Sequence, residues 1–165
     1  MIPESRIQIL NEEPVNEKGK FVLYWMIANR RAAWNFALDR AVEWSRKLGK
    51  SLLVLEPVRC DYRWASDRLH RFVLDGMAQN ARDFERWPVC YYPYVEPKPG
   101  AGRGLLRALS EQAAVVVTDD YPCFFLPRAV RSAAQQVRIR LESVDSNGLL
   151  PLRSAEKVYS TAYAF

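Results

Sequence analysis

Five stretches of strand length dominated by apolar residues are separated by segments in which apolar positions recur at helical spacing. The stretches are Phe21–Ile27, Leu52–Leu55, Val89–Val95, Ala114–Thr118 and Arg138–Glu142. Parallel strands must be joined by long crossovers, and a helix between each pair supplies one. Between the first two stretches Trp34, Leu38, Ala41, Ser45 and Leu48 share a helix face, and Gly49 supplies a stop. From about Ser66 to Trp87 the stripe is Leu69, Val73, Met77, Asn80 and Phe84, ended by Pro88. A Gly- and Pro-rich loop, Pro97 to Gly104, leads into a short helix over Leu105–Gln112, and a further helix runs from near Pro127 to Gln136. The chain is expected to be α/β: a three-layer, Rossmann-like, doubly wound parallel sheet of five strands.

Strand order follows from what each stretch tolerates. Proline cannot donate to a central ladder, so Pro93 puts the third strand on an edge. The fifth alternates Arg138, Ile139, Arg140 and Leu141, which suits an edge with one wet face. The other three are near-continuous apolar runs, as strands covered on both faces should be. Numbered along the chain, the order 3-2-1-4-5 satisfies this with right-handed crossovers. Its winding reverses between strands 1 and 4, and ligands of open α/β sheets sit at the carboxyl ends of the strands beside such a reversal. The expected site is therefore the loop Ile27 to Arg31 facing the loop Thr118 to Tyr121.

The chain has 165 residues, enough for one domain with a substantial core. Its net charge of +5 is scattered rather than gathered in a basic run, which gives no nucleic-acid footprint of its own. Cys60, Cys90 and Cys123 are odd in number, widely spaced and form no C-x-x-C pair. A disulfide framework and a zinc site are thereby disfavoured, and a reducing compartment is expected. The lead-in before residue 20 carries Pro3, Glu4, Arg6, Glu12, Glu13, Pro14 and Lys18, so it has no signal-peptide core. No apolar run approaches membrane-spanning length. A soluble, cytoplasmic protein with no membrane and no metal partner is expected.

At the predicted crevice, Arg30 and Arg31 offer planar forks of donors for a carboxylate or phosphate, or they are solvated loop residues. Asp119 and Asp120 could hold a ligand's hydroxyls or ring N–H groups, or serve as turn and capping residues before Tyr121-Pro122. Gly100-Ala101-Gly102-Arg103-Gly104 has neither the dinucleotide spacing nor the Gly-Lys-Ser/Thr ending of a phosphate loop, and reads as a flexible connection. His70 lacks a catalytic partner at any familiar spacing and reads as structural. The cysteines read as small packing residues. Trp34 and Trp44 fall on or near the packing face of the first helix and read as core.

Several stretches together resemble one family. Val22-Leu23-Tyr24-Trp25-Met26, followed by Arg30-Arg31 and Asn35-Phe36-Ala37-Leu38, is similar to the opening of the DNA photolyase and cryptochrome family. The likeness is closest to class II cyclobutane pyrimidine dimer photolyases, where a V-L-Y-W-M strand leads to an Arg and an N-x-A-L helix start. Arg31 matches the family Arg and Asn35 its Asn, while Trp34 stands where the family has Asp. His70, Phe72, Leu74 and Gly76-Met77 resemble the family's second helix, and Val116-Val117-Thr118-Asp119 its V-V-T-D strand end. Val144-Asp145-Ser146-Asn147 with Pro151 resembles the V-D-x-x-N-x-x-P segment that closes the α/β domain. Lys157, Tyr159, Thr161 and Ala162 fit the linker beyond it.

The resemblance implies a polar N-terminal extension over residues 1–19, an N-terminal α/β (antenna) domain over 20–152, and over 153–165 the start of a linker. The linker would lead to a helical FAD domain further along, in cis and outside this sequence. In that family the α/β domain can hold an antenna chromophore, a deazaflavin or a reduced folate, that passes excitation energy to reduced FAD. The flavin repairs UV-damaged DNA by splitting a pyrimidine dimer. Switch-point geometry and family together name Met26, Arg30, Arg31, Glu56, Asp119 and Asp120 as the chromophore's neighbours. No catalytic residue is expected in this chain, whose repair chemistry and DNA contact would come through the full-length protein. Three other readings share the fold: a cryptochrome-like photosensor, a stand-alone nucleotide-binding module using Gly100 to Gly104, and an interaction scaffold without chromophore.

Overall fold

The computed structural model describes residues 1–154 together with Thr161 and Tyr163. Lys157, Tyr159 and Ala162, assigned above to a linker, lie outside the described residues. The strands are β1 (Ile7–Ile9), β2 (Phe21–Trp25), β3 (Ser51–Val58), β4 (Val89–Val95), β5 (Ala113–Asp120) and β6 (Leu141–Asp145). The helices are α1 (Phe36–Leu48), α2 (Asp67–Phe84), α3 (Leu105–Ser110) and α4 (Leu126–Gln136).

Each long helix starts and stops on chemistry visible in the sequence. Asn35 caps α1, its Oδ1 accepting the Leu38 N–H at 3.0 Å, and Gly49 ends the helix in the left-handed region at φ 61°. Ser66 caps α2 by accepting from Leu69 N–H at 3.3 Å. Pro127 sits in the first turn of α4, where its missing N–H would have had no helical partner.

The sheet runs β1-β6-β5-β2-β3-β4. All neighbours are parallel except β1, which pairs antiparallel with β6 through Ile7–Val144 and Ile9–Glu142. The expectation of five strands with the last on an edge is thus corrected. A sixth strand covers that edge, and the fifth predicted strand lies at Leu141–Asp145 rather than 138–142. The alternating arginines belong to the connection ahead of the strand, and β6 itself is buried throughout. It tolerates Glu142 there because Arg40 and Arg140 each reach the carboxylate at 2.8 Å and the Trp44 indole N–H donates to it at 2.9 Å. At the opposite edge stands β4, carrying Pro93.

Two apolar layers follow from strand parity. Val22, Tyr24, Val54, Val115 and Val117 pack with Leu38, Ala41 and Trp44 of α1 and Phe84 of α2. Leu23, Leu55, Val116 and Leu141 face the other way, with Ala133 of α4 and partly buried Leu105, Leu106 and Leu109 of the α3 segment. The crossovers before and after β3 thus cover one face, and those around β5 the other.

Three sequence expectations change here. Trp34 is 92% exposed at φ 54°, because α1 begins only after Asn35 and Trp34 lies on the approach. Leu69 is also exposed, since the first turns of α2 overhang the sheet and only Met77, Asn80 and Phe84 are buried. Cys90 and Cys123 are exposed and Cys60 is half-buried, so the first two do not pack the interior. By contrast, the lead-in is built into the fold. Arg6 is buried against the Phe36 ring at 4.4 Å and donates to the carbonyls of Asp145, Gly148 and Leu149 at 3.1, 3.3 and 2.7 Å.

Candidate functional site

At the end of β2 the loop is organised by Asp119 at the end of β5, fully buried. Its Oδ2 accepts the backbone N–H groups of Ile27, Ala28 and Asn29 at 2.8, 2.8 and 3.1 Å. Its Oδ1 accepts the Tyr24 hydroxyl at 2.7 Å and the Asn29 amide at 3.3 Å. Successive N–H groups converging in this way form an anion seat, and here the protein's own carboxylate fills it. Burial, and then the neighbouring Asp119 charge, raises the Tyr24 phenol well above its ordinary range, so it remains a donor. Asn35 completes the clasp by donating to the carbonyls of Asn29 and Arg31 at 2.8 and 3.1 Å.

A second buried carboxylate, Glu56 on β3, anchors Arg30. The guanidinium reaches Glu56 Oε1 at 3.1 Å and the Pro57 carbonyl at 2.7 Å. The other oxygen accepts from the Asn80 amide at 2.9 Å and the Tyr91 hydroxyl at 2.6 Å. Burial first, and the bond to Glu56 second, push the Tyr91 phenol upward. Of the other predicted residues, Arg31 is exposed and binds the Trp34 carbonyl through two guanidinium nitrogens at 3.1 and 3.0 Å. Asp120 pairs with Arg153 at 2.7 Å. Met26 is fully buried in the α1-side core. Arg30 and Glu56 are therefore brought together, Asp119 joins the two loops, and Met26, Arg31 and Asp120 are engaged elsewhere.

Tyr24, Met26 and Val54 sit on the α1 side of the sheet, whereas Leu55 and partly buried Trp25 and Tyr94 pack with the α3–α4 layer. Two cavities open on that second side at the carboxyl ends of the strands. One, about 220 Å³, is lined by Trp25, Ile27, Arg30, Pro57, Tyr62 and Phe125 among others. The other, about 410 Å³, lies beyond Pro57 beneath the loop Gly100–Gly104. Trp25, Pro57, Val58 and Arg59 line both. Arg30 alone of the six predicted residues borders either one. At the smaller cavity the rings of Tyr62 and Phe125 approach to 6.4 Å. His70 packs edge-on against Tyr62 at 5.6 Å, with Nε2 at 3.0 Å from the Arg59 carbonyl, a structural role.

Trp25, Pro57 and Tyr94 carry a signal in the sequence, namely the parity of residues at each strand end. Tyr62 and Phe125 come from loops, where no periodicity exists to find them. Among the described residues no cluster of three or more His, Cys, Asp or Glu side chains could hold a metal ion. Nor is any described helix long and apolar enough to cross a membrane.

No protein-family model matches the chain. It is similar to the deoxyribodipyrimidine photo-lyase of Methanothermobacter thermautotrophicus, 30% identical over 155 residues. The match covers 94% of this chain and 34% of that enzyme, so the chain spans about a third of its relative's length. This similarity supports the photolyase family, without reaching to its class II members or to a chromophore.

Proposed function

We propose that this chain is the N-terminal, antenna-side α/β domain, over residues 20–152, of a light-driven deoxyribodipyrimidine photolyase. The observation that carries the reading is the similarity to a deoxyribodipyrimidine photo-lyase along 94% of the chain. In this reading, repair of UV-induced cyclobutane dimers, the FAD that performs it and the contact with damaged DNA belong to the whole protein and to a helical domain in cis. The chain alone is not catalytic.

The chromophore's place is the 220 Å³ crevice beside the switch point. Its lining suits a planar heteroaromatic ring: Trp25, Tyr62 and Phe125 supply aromatic faces, Ile27 and Val58 apolar edges, and Arg30 and Arg59 cations. A deazaflavin or reduced folate held there would absorb light and pass its excitation energy onward. Arg30 is the direct neighbour, Glu56 positions it, and Asp119 holds the loop that frames the crevice. Met26, Arg31 and Asp120 do not border the crevice and have no direct contact with the chromophore in this reading.

The test is a light-dependent repair assay on the protein encoded by the whole gene, using an oligonucleotide with one thymine dimer. Repair under blue light and none in the dark is expected. Flavin binding without repair would favour the photosensor alternative, and absence of flavin would remove both. On this chain, Phe125→Ala and Arg30→Ala should each weaken deazaflavin or methenyl-folate binding by about tenfold or more, read by fluorescence titration.

A further inference from the structure

The larger cavity has features that the chromophore reading does not use. Its lining includes Trp25, Leu55, Pro57, Tyr94, Leu105 and Leu106, a largely apolar surface with two aromatic rings. One wall is the loop Gly100–Gly104, and that loop is pinned rather than loose. Glu96, buried at the end of β4, accepts the Gly102 N–H at 3.2 Å with one oxygen and the Cys60 N–H at 3.2 Å with the other. The Cys60 thiol adds a contact at 3.5 Å. Gly102 lies close to Tyr94: a Cβ there would stand 3.0 Å from the ring, which would have to give way by a few tenths of an ångström. The loop therefore rests flat on Tyr94, and a preformed chamber of about 410 Å³ stands open beneath it.

Charge at the mouth is asymmetric. Arg59 is matched by Asp61 at 2.8 Å, and the Glu96 carboxylate is already occupied by its N–H donors. Arg103 also borders the chamber, is exposed, and makes no ion pair among the described residues. An apolar, aromatic chamber with one uncommitted guanidinium at its rim suits a flat ring carrying a single anionic group.

We propose that this chamber is a nucleoside monophosphate site, with the base on Trp25 and Tyr94 and the phosphate on Arg103. It adjoins the chromophore crevice and shares Trp25, Pro57, Val58 and Arg59 with it, but Tyr94 and Arg103 border this chamber alone, and Ile27, Arg30, Tyr62 and Phe125 border the crevice alone.

The experiment is calorimetric titration of the 165-residue chain with AMP, and with ribose 5-phosphate as the same anion without its ring. Saturable AMP binding is expected, at least about tenfold tighter than ribose 5-phosphate. Arg103→Ala should weaken AMP about tenfold or more, Arg103→Glu further, and Phe125→Ala should leave it unchanged. Arg103 is exposed, so its variants should keep the parent's circular dichroism, which is checked first. Absence of AMP binding at millimolar concentration would overturn the proposal. So would equal affinity for ribose 5-phosphate, equal affinity in Arg103→Ala, or a loss in Phe125→Ala as large as that in Arg103→Ala. None of these outcomes bears on the photolyase reading, which the repair assay tests separately.

Discussion

Asp119 and Glu142 are both fully buried carboxylates, and different partners hold them. Asp119 is held mainly by neutral donors: three backbone N–H groups, a phenol and an amide. Asp119→Ala leaves those donors buried without an acceptor, a loss of about 3 kcal/mol or more. Urea titration should show a lower midpoint, with Asp119→Asn falling between the variant and the parent. Glu142 is held by two guanidiniums and an indole N–H. Burial pushes its carboxyl upward, but the donors from Arg40, Trp44 and Arg140 outweigh burial and leave it below the usual range. A group lowered on folding stabilises above its unfolded value, about 4.3, and that stabilisation disappears as pH falls through the folded value. Glu142→Gln should therefore cost about 2 kcal/mol at pH 7 and much less at pH 3. A variant that trailed the parent equally at both pH values would mean that the charge is irrelevant. The importance of Asp119 was legible from its place at a strand end; its partners were not, because a carboxylate on three consecutive amides leaves no spacing signal.

At the scale of elements, the long strands and helices were legible because their periodicities extend over enough residues to be read. Asn35, Ser66 and Gly49 mark helix ends by side-chain and backbone chemistry that acts locally. The strand β1 was not legible, since Ile7–Ile9 is too short to carry a pattern and its partner lies at the far end of the chain. The same short strand explains the misplaced edge. Deleting residues 1–10 should uncover β6, and hydrogen exchange at Leu141–Asp145 should accelerate while the amides of β2 remain protected. The shortened chain should also aggregate more readily, because an uncovered strand is a template for another.

Considered whole, the described residues form one sheet with an apolar layer on each face, and each of the five parallel strands contributes to both layers. Neither layer can dissolve without the other. Thermal unfolding should accordingly be a single transition, coincident by far-ultraviolet circular dichroism and tryptophan fluorescence; two separated midpoints would contradict a shared core. The reversal of winding, and hence the end of the sheet where ligands bind, was legible from strand order alone. Which face opens into cavities at the carboxyl ends of the strands was not. That depends on how far α3 and α4 stand from the sheet, which side-chain volumes at Trp25, Pro57 and Tyr94 decide together.

Arg6 adds a consequence in time. Its carbonyl partners are 139 to 143 residues further along the chain. A ribosome adding roughly 5–20 residues each second would need about 7–28 s between making Arg6 and making what it binds. During that interval the leading nine residues have neither a strand to join nor an acceptor for the guanidinium. The segment that carries Arg6 is therefore made long before its partners and settles only after them.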